Sequence, residues 1–215
     1  MSGMSDVTRT RKPRLLVPAT RAALIEVGTR LMLAKGYNHC GLDEILKEAK
    51  VHKGSFYHFF KNKEDFGLQV IDDYAAQRLG NLDRELANTE LPPLARLRRY
   101  FEQAVERQRG FEFKRGCLFG NLGQEMAGQS EAFRTRLEEV LTLYRAKIAS
   151  CFREAQAVGD LWDEYDANRL AGFCLNSWEG SILRMKVAKS AEPLEDFLFV
   201  MFEGVLKPLP PTRLP

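Results

Sequence analysis

Apolar side chains recur along this chain at spacings of three and four residues, which is the period of an amphipathic α-helix. In one short segment they fall at Leu42, Ile45, Leu46 and Ala49. No segment shows the alternation typical of a half-buried strand, and Asn62, Ser130 and Asp166 stand where helix N-caps are expected. The pattern predicts an all-α fold, with helices over residues 20–35, 41–49, 51–63 in part, 63–86, 94–108, 117–126, 130–158, 166–189 and from 193 onward.

A cluster of cations, hydroxyls and aromatics follows the second of these helices, in the sequence Val51-His-Lys-Gly-Ser-Phe-Tyr-His-Phe-Phe-Lys-Asn-Lys63. Two short helices joined by the turn Lys50-Val-His52 make a helix-turn-helix. A recognition helix needs short polar and cationic groups near its N-terminus and an opposite face that anchors it in a core. The expected anchors are Phe56, Phe59 and Phe60. This segment is therefore expected to dock onto DNA.

Residues 43–66 read D-E-I-L-K-E-A-x-V-x-K-G-S-F-Y-H-F-F-x-N-K-E-D-F, a pattern that resembles the DNA-binding signature of TetR-family repressors. Within that family, residues 115–126 and 178–186 are similar to regulators that answer acrylate and related electrophiles. The resemblance implies an N-terminal three-helix DNA-binding domain and a C-terminal helical domain for ligand binding and dimerisation. It also implies a double-stranded DNA operator and a small-molecule effector as partners.

Different roles are expected of the polar groups in this motif. Donation to phosphate oxygens, which gives affinity but little sequence information, is expected of Lys53, Tyr57, His58 and Lys63. Gly54 would permit close approach of the backbone, and base contacts are expected from Ser55 and from the helix start near Gly41. The alternative for Tyr57 and His58 is partial packing of their rings against the helical bundle. The alternative for Lys53 is a solvated surface position.

Two positions depart from the family pattern at the edges of the motif. Lys50 stands where the turn usually has glycine, and a lysine held at positive φ would cost on the order of 1 kcal/mol. Gly41 stands where members often carry a hydroxyl residue that caps the helix and touches a phosphate. The motif therefore predicts DNA binding without specifying which DNA is bound.

Charge is unevenly distributed along the chain. Residues 1–63 contain 12 Lys or Arg against 5 Asp or Glu, whereas residues 64–215 contain 20 against 24. A basic front and a mildly acidic rear indicate that the front meets a polyanion. The expected domains are a flexible basic arm over 1–18, a helix-turn-helix domain over 19–66, and a ligand-binding and dimerisation domain over 67–215. The arm would either contact DNA or serve as a solubilising tail.

All three histidines, His39, His52 and His58, lie in the first 63 residues. The rear domain therefore has no Ser-His or Cys-His pair and no histidine-based metal site, which argues against an enzyme; no cofactor or metal is expected. A cysteine-dependent enzyme is kept as a distant alternative. The four cysteines form no C-x-x-C pair, and no signal peptide or long apolar run is present. These features fit a cytoplasmic protein with no membrane partner.

Two groups of residues in the rear domain are candidates for an effector site. Cys117 follows Lys114 and Arg115 at an expected helix N-terminus, where the dipole and the cations would favour a reactive thiolate. Asn121 shares its helix face, and Gln124 lies another turn along, so a sulfur and two amides could line a polar pocket.

The second group is Trp178 with Arg184 and Lys186, where an aromatic wall and cations would suit a small carboxylate. The resemblance suggests acrylate as that ligand. One hypothesis is release from DNA by such an effector, and the other is a redox or electrophile sensor that acts through Cys117. The alternatives are that Cys117 is a buried small hydrophobe, that Trp178 packs in the core or a dimer, and that the two cations are surface groups.

A homodimer is expected because one helix-turn-helix reads few base pairs, whereas two related by a twofold axis read a palindrome. The last two helices are the expected interface. Small residues that would allow close helix approach are Gly172, Ser177, Gly180 and Ser181. The apolar face that would need covering comprises Phe197, Leu198, Met201 and Phe202. The alternative is burial of these side chains inside one subunit.

Overall fold

A computed structural model describes residues 17–207, and within that range the chain is helical and has no strand. The helices are α1 (Val17–Lys35), α2 (Leu42–Ala49), α3 (Lys53–Phe59), α4 (Lys63–Leu86), α5 (Pro93–Gly110), α6 (Leu118–Met126), α7 (Glu131–Ala157), α8 (Ala167–Ala188) and α9 (Glu192–Val200). A π-helical turn, Met201–Val205, continues α9. The all-α prediction is confirmed, whereas residues 1–16 of the predicted basic arm lie outside the described residues. Over the described range, no helix has the length and apolar character that crossing a membrane requires.

Side-chain caps set the starts of three long helices. The Asn62 side chain accepts the backbone N–H of Asp65 at 2.8 Å at the start of α4. Ser130 Oγ caps α7 in the same way, and Asp166 Oδ1 accepts the backbone N–H of Arg169 at 2.8 Å to cap α8. Each cap satisfies one of the unpaired N–H groups of a first helical turn. The three caps expected from the sequence are therefore confirmed.

The recognition helix α3 is held in place by aromatic packing. Phe56 and Phe60 are fully buried with Phe66 of α4, and their ring centroids lie 4.9 to 5.4 Å apart. Phe59 is only half-buried, so the predicted set of three anchors is right for Phe56 and Phe60 and only partly right for Phe59. Burying one face of so short a helix against the core fixes the direction in which its polar face points.

The turn between α2 and α3 contains a strained lysine. Lys50 has φ 55° and ψ 40°, which is the left-handed conformation, and its backbone N–H donates to the carbonyl of Lys47. A Cβ atom is unfavourable there, because it approaches the neighbouring carbonyl oxygen. The positive φ expected at this position is confirmed.

Backbone and carboxylate contacts join the three-helix domain to the rear domain. The Glu125 side chain at the end of α6 accepts the backbone N–H groups of Tyr37 and Asn38, both at 2.7 Å. These two hydrogen bonds join the turn after α1 directly to α6. A Cβ added to Gly67 of α4 would lie 2.6 Å from Phe133 Cζ, so glycine allows α4 to approach α7 closely.

The last two helices pack differently from the expectation. Phe197, Met201 and Phe202 are buried within the chain itself, and the Phe197 ring lies 5.1 Å from the rings of both Phe101 and Trp178. The prediction that this apolar face needs a partner subunit is therefore wrong for these three residues, since α5 and α8 cover it; Leu198 is also partly buried against the same core. The exposed apolar side chains of α8 and α9 are Phe173, Leu183, Val187, Phe199 and Val200.

Replacing Lys50 with glycine should raise the free energy of unfolding by about 1 kcal/mol, because glycine adopts the left-handed conformation without steric cost. Urea denaturation would measure the change. Lys50→Ala is the matched control, since it removes the charge and keeps Cβ, and no stabilisation is expected from it. A Lys50→Gly variant no more stable than Lys50→Ala would contradict the assignment of strain to this turn.

Candidate functional site

The first two turns of α3 form an exposed polar surface. Lys53, Gly54, Ser55 and His58 are exposed. The Tyr57 side chain is 51% exposed, although its ring contacts Phe56. The side chains expected to contact DNA therefore lie on one surface, opposite the buried aromatic anchors. Their contacts with phosphates and bases stay predictions.

Lys63 and Gly41 lie at the borders of this surface. The Lys63 ammonium donates to the Tyr37 carbonyl at 2.8 Å and lies 4.2 Å from the centroid of the Tyr37 ring, so it already has partners within the protein. Gly41 is exposed at the N-cap of α2, and no side chain caps that helix. The hydroxyl side chain that caps α2 in the family pattern is thus absent, and no other side chain caps this helix.

A cavity of about 590 Å³ lies between the two domains. Its walls come from α1, α4, α5, α7 and α8 and from the segment that leads into α6. Aromatic rings form much of the wall, including Phe101, Phe119 and Trp178. A volume of this size, with an aromatic wall and a few polar groups, is typical of a site for a small organic ligand.

Two of the six predicted effector residues, Cys117 and Trp178, line this cavity. The other four lie outside its wall. The Asn121 amide donates to the Leu33 carbonyl at 3.4 Å and lies 3.5 Å from the Lys186 ammonium, while the stem of Lys186 covers Gly116. Gln124 and Arg184 are exposed side chains of α6 and α8. The structure therefore brings one member of each predicted group, Cys117 and Trp178, to the same cavity and leaves the other four outside its wall.

Two arginines in the cavity wall provide the cations instead. Arg78 of α4 and Arg107 of α5 make no ion pair within residues 17–207, and the Nε of Arg78 is buried without a hydrogen-bond partner. Burial, and then repulsion from Arg78, lower the pKa of the Arg107 guanidinium. Two guanidinium groups that line one cavity without a paired carboxylate among the described residues favour the binding of an anion there.

Helical spacing in the sequence marks one of these arginines, Arg78, as a candidate site residue. Arg78 falls in the apolar stripe of α4, four residues after Tyr74 and four before Leu82, and both neighbours are buried. Charged residues are rarely placed on a buried helix face unless they are paired or functional. An arginine inside such a stripe therefore marks a candidate site.

Tyrosine hydroxyls add neutral hydrogen-bonding groups to the cavity. The hydroxyls of Tyr100 and Tyr144 lie 3.0 Å apart, and the guanidinium of Arg78 lies 4.7 Å from the centroid of the Tyr74 ring. Burial raises the pKa of all three tyrosines, so they stay protonated and can donate to an anion. The Oε1 of Gln108 is a further buried acceptor without a partner.

Cys117 is the N-cap residue of α6 and is only 8% exposed. Burial, and then the charge of Glu179, raise the pKa of the Cys117 thiol well above its ordinary value. The prediction that Cys117 is a thiolate is therefore wrong. Lys114 is exposed and pairs with Glu112, while the Arg115 guanidinium lies 3.8 Å from the centroid of the Phe111 ring, so neither cation offsets the cost of burying a charged sulfur.

The fold and the exposed surface of α3 define a helix-turn-helix regulator with a cavity between its two domains. Two family models match the chain. The model described as bacterial regulatory proteins of the tetR family matches residues 24–70, and the tetracyclin repressor-like C-terminal domain matches residues 93–201. The chain belongs to the TetR family of transcriptional regulators.

Curated relatives have the same organisation. The chain is 44% identical over 191 residues to transcriptional regulator AcuR of Cereibacter sphaeroides, which covers 88% of this chain and 87% of that protein. It is 36% identical over 186 residues to the HTH-type transcriptional repressor DhaR of Mycobacterium sp., covering 86% of this chain and 92% of that one. The HTH-type transcriptional repressor NemR of Escherichia coli is 30% identical over 179 residues, covering 83% and 90% of the two chains.

Solved structures agree with this assignment. A regulatory protein TetR from Rhodobacter sphaeroides superimposes with a TM-score of 0.81 at 44% identity, over 85% of this chain and 96% of that one. The reduced form of Escherichia coli NemR superimposes with a TM-score of 0.77 at 28% identity, over 90% of this chain and all of that one.

Replacing Arg107 with methionine should raise the free energy of unfolding of the effector-free protein by about 1 kcal/mol, because it removes a half-buried charge that Arg78 repels. Urea denaturation at neutral pH would measure this. Arg109→Met, an exposed change on the same helix, should shift stability by no more than about 0.5 kcal/mol. If Arg107→Met destabilises the protein more than its control does, the two guanidinium groups do not repel each other.

Proposed function

We propose that this protein is a homodimeric repressor that binds a palindromic operator and is released from it by a small anionic effector, acrylate or a similar unsaturated carboxylate. The observation that carries the proposal is the pair of guanidinium groups, Arg78 and Arg107, that line one cavity without an ion pair in the described part of the chain. Because the repressor would act on the chromosome, we place it in the cytoplasm. It acts by binding and not by catalysis.

On the DNA side, the exposed surface of α3 would enter the major groove. Lys53, Tyr57 and His58 would donate to phosphates, and Ser55 would reach base edges while Gly54 lets the backbone approach. Lys63 can hold Tyr37 and still donate to a phosphate, since an ammonium has three N–H groups. Base contacts near Gly41 would come from the backbone at the start of α2 and from its neighbours.

The dimer would form through α8 and α9, using the face that one subunit leaves uncovered. Phe173, Gly180 and Val187 recur every seven residues and so share one side of α8, and Phe199 at the end of α9 is 69% exposed. Gly180 has open space around the position of a Cβ, which allows a partner helix to approach. A four-helix interface of this kind would remove a large apolar surface from water.

The position of the cavity supports coupling between effector and operator. Ala22, Thr29 and Leu33 of α1 belong to the cavity wall, so one ligand can contact both domains. Helix α6 begins at the cavity with Cys117 and ends at Glu125, which binds the turn after α1. An effector that prefers a shifted arrangement of these helices would change the separation of the two α3 helices and weaken operator binding.

Titration of the operator with the purified protein in a gel-shift assay would test the proposal, using the DNA upstream of its own gene. Binding is expected without acrylate, and loss of binding is expected as acrylate saturates the cavity. Arg78→Met should still bind DNA but require at least about tenfold more acrylate, because a charge-assisted hydrogen bond is lost. Arg84→Met, an exposed change on the same helix, is the control.

The outcomes separate the parts of the proposal. Absence of any operator binding would reject the repressor. Binding that saturating acrylate leaves unaltered would reject acrylate as the effector. Equal loss of response in the Arg78 and Arg84 variants would reject the cavity as the site.

A second candidate function is sensing of electrophiles or oxidants through Cys117, and the observation that favours it is the place of this thiol in the cavity wall. In that case Cys117→Ser should bind the operator normally and lose release by an electrophile or oxidant. Equal release of the variant and the wild type in gel shifts would exclude this candidate. Catalytic turnover of the electrophile would instead support the cysteine-dependent enzyme.

A further inference from the structure

We propose that Glu179 accepts the proton of Cys117 when an α,β-unsaturated carbonyl compound adds to that thiol inside the cavity. This role of Glu179 depends on the proposed function in one respect, which is that the effector binds in the cavity. It assigns to Glu179 the role of activating a thiol that the cavity otherwise keeps unreactive.

Geometry places the two groups together. Cys117 leads into α6, Glu179 lies on α8, and both line the cavity, where burial and then the charge of Glu179 raise the pKa of the Cys117 thiol. Gly120, one turn into α6, leaves room for that carboxyl, because a Cβ at this position would lie 2.7 Å from Glu179 Oε2. The small residue at position 120 thus lets the carboxyl lie beside the first turn of α6, three positions after Cys117.

The protonation states suit a transfer between these two atoms. Burial raises the pKa of Glu179 to about 7, so a useful fraction is ionised at neutral pH and can take up a proton. Burial also keeps the thiol protonated, so Cys117 needs a base before it can attack. The other ionisable groups that the packed helices and the α5–α6 segment bring to this cavity are Glu26, Arg30, Asp73, Tyr74, Arg78, Tyr100, Arg107, Arg115 and Tyr144.

The addition balances without a further reactant. The sulfur forms a bond to the β-carbon, the carbon–carbon π bond breaks, and its electron pair moves towards the carbonyl oxygen. The thiol proton passes to the Glu179 carboxylate and then to the α-carbon, which restores the carboxylate. The Nε–H of Arg78, buried and unpaired in the same cavity, is available as a donor to the oxygen that gains charge.

Acrylamide, an uncharged relative of acrylate, is a suitable probe. The rate of adduct formation at Cys117 would be followed by peptide mass spectrometry on the whole chain between pH 5.5 and 9, with Cys117→Ser as the blank. The wild-type rate should rise through about pH 7, as Glu179 becomes able to accept a proton, and then level off. Glu179→Gln should react at least about tenfold more slowly at pH 8 and lose the inflection.

The direction of the change decides between two roles. The Glu179 charge also raises the pKa of the thiol, so a purely electrostatic role predicts that Glu179→Gln reacts faster, which would overturn the proposal. Gly120→Ala should slow the reaction by displacing the carboxyl. Gly123→Ala is its matched control on the same helix, since a Cβ there has open space and should leave the rate unchanged.

Equal rates in the Gly120 and Gly123 variants would also overturn the proposal. The assay contains no DNA, so its outcome is independent of operator binding. Failure of the repressor function would appear in gel shifts, whereas failure of the Glu179 role would appear only in the adduct rates.

Discussion

The presence of two guanidinium groups in one cavity, without a paired carboxylate in the described part of the chain, is the constraint on which the proposed function depends. Arg78 and Arg107 come from different helices, and over residues 17–207 neither makes an ion pair. Leaving such charges without an ion pair costs stability, which an anion can restore by binding. The proposed effector would supply that anion, and the aromatic walls of the cavity would favour a small organic one.

The same cavity borders both domains, so the proposed effector would contact the helices of both. Its wall includes α1 of the DNA-binding domain, and α6 runs from Cys117 at the cavity to Glu125 at the turn after α1. The aromatic anchors Phe56 and Phe60 make the recognition helix follow the rest of its domain. Small movements at the cavity can therefore reach the DNA-binding surface through packed helices.

Local features of the fold could be predicted from the sequence, and long-range ones could not. The cap at Asn62 and the positive φ at Lys50 depend on residues within a few positions, so helical spacing and the family pattern were enough. The direction in which an apolar face packs depends on the whole chain. Helical spacing alone therefore assigns Phe197 to a dimer interface, although α5 and α8 cover its ring within the chain. Cys117 lies in the cavity wall, but its protonation depends on burial by the surrounding helices and then on Glu179, which lies 62 positions further along the chain.

Calorimetric titration of acrylate into the free protein and into the protein bound to its operator tests the central claim most directly, because coupling between two sites is reciprocal. The account predicts weaker binding of acrylate to the operator complex, by the same factor by which acrylate weakens operator binding. Equal acrylate affinities in the two titrations, with operator still bound, would contradict it, since the cavity and the DNA surface would then be uncoupled.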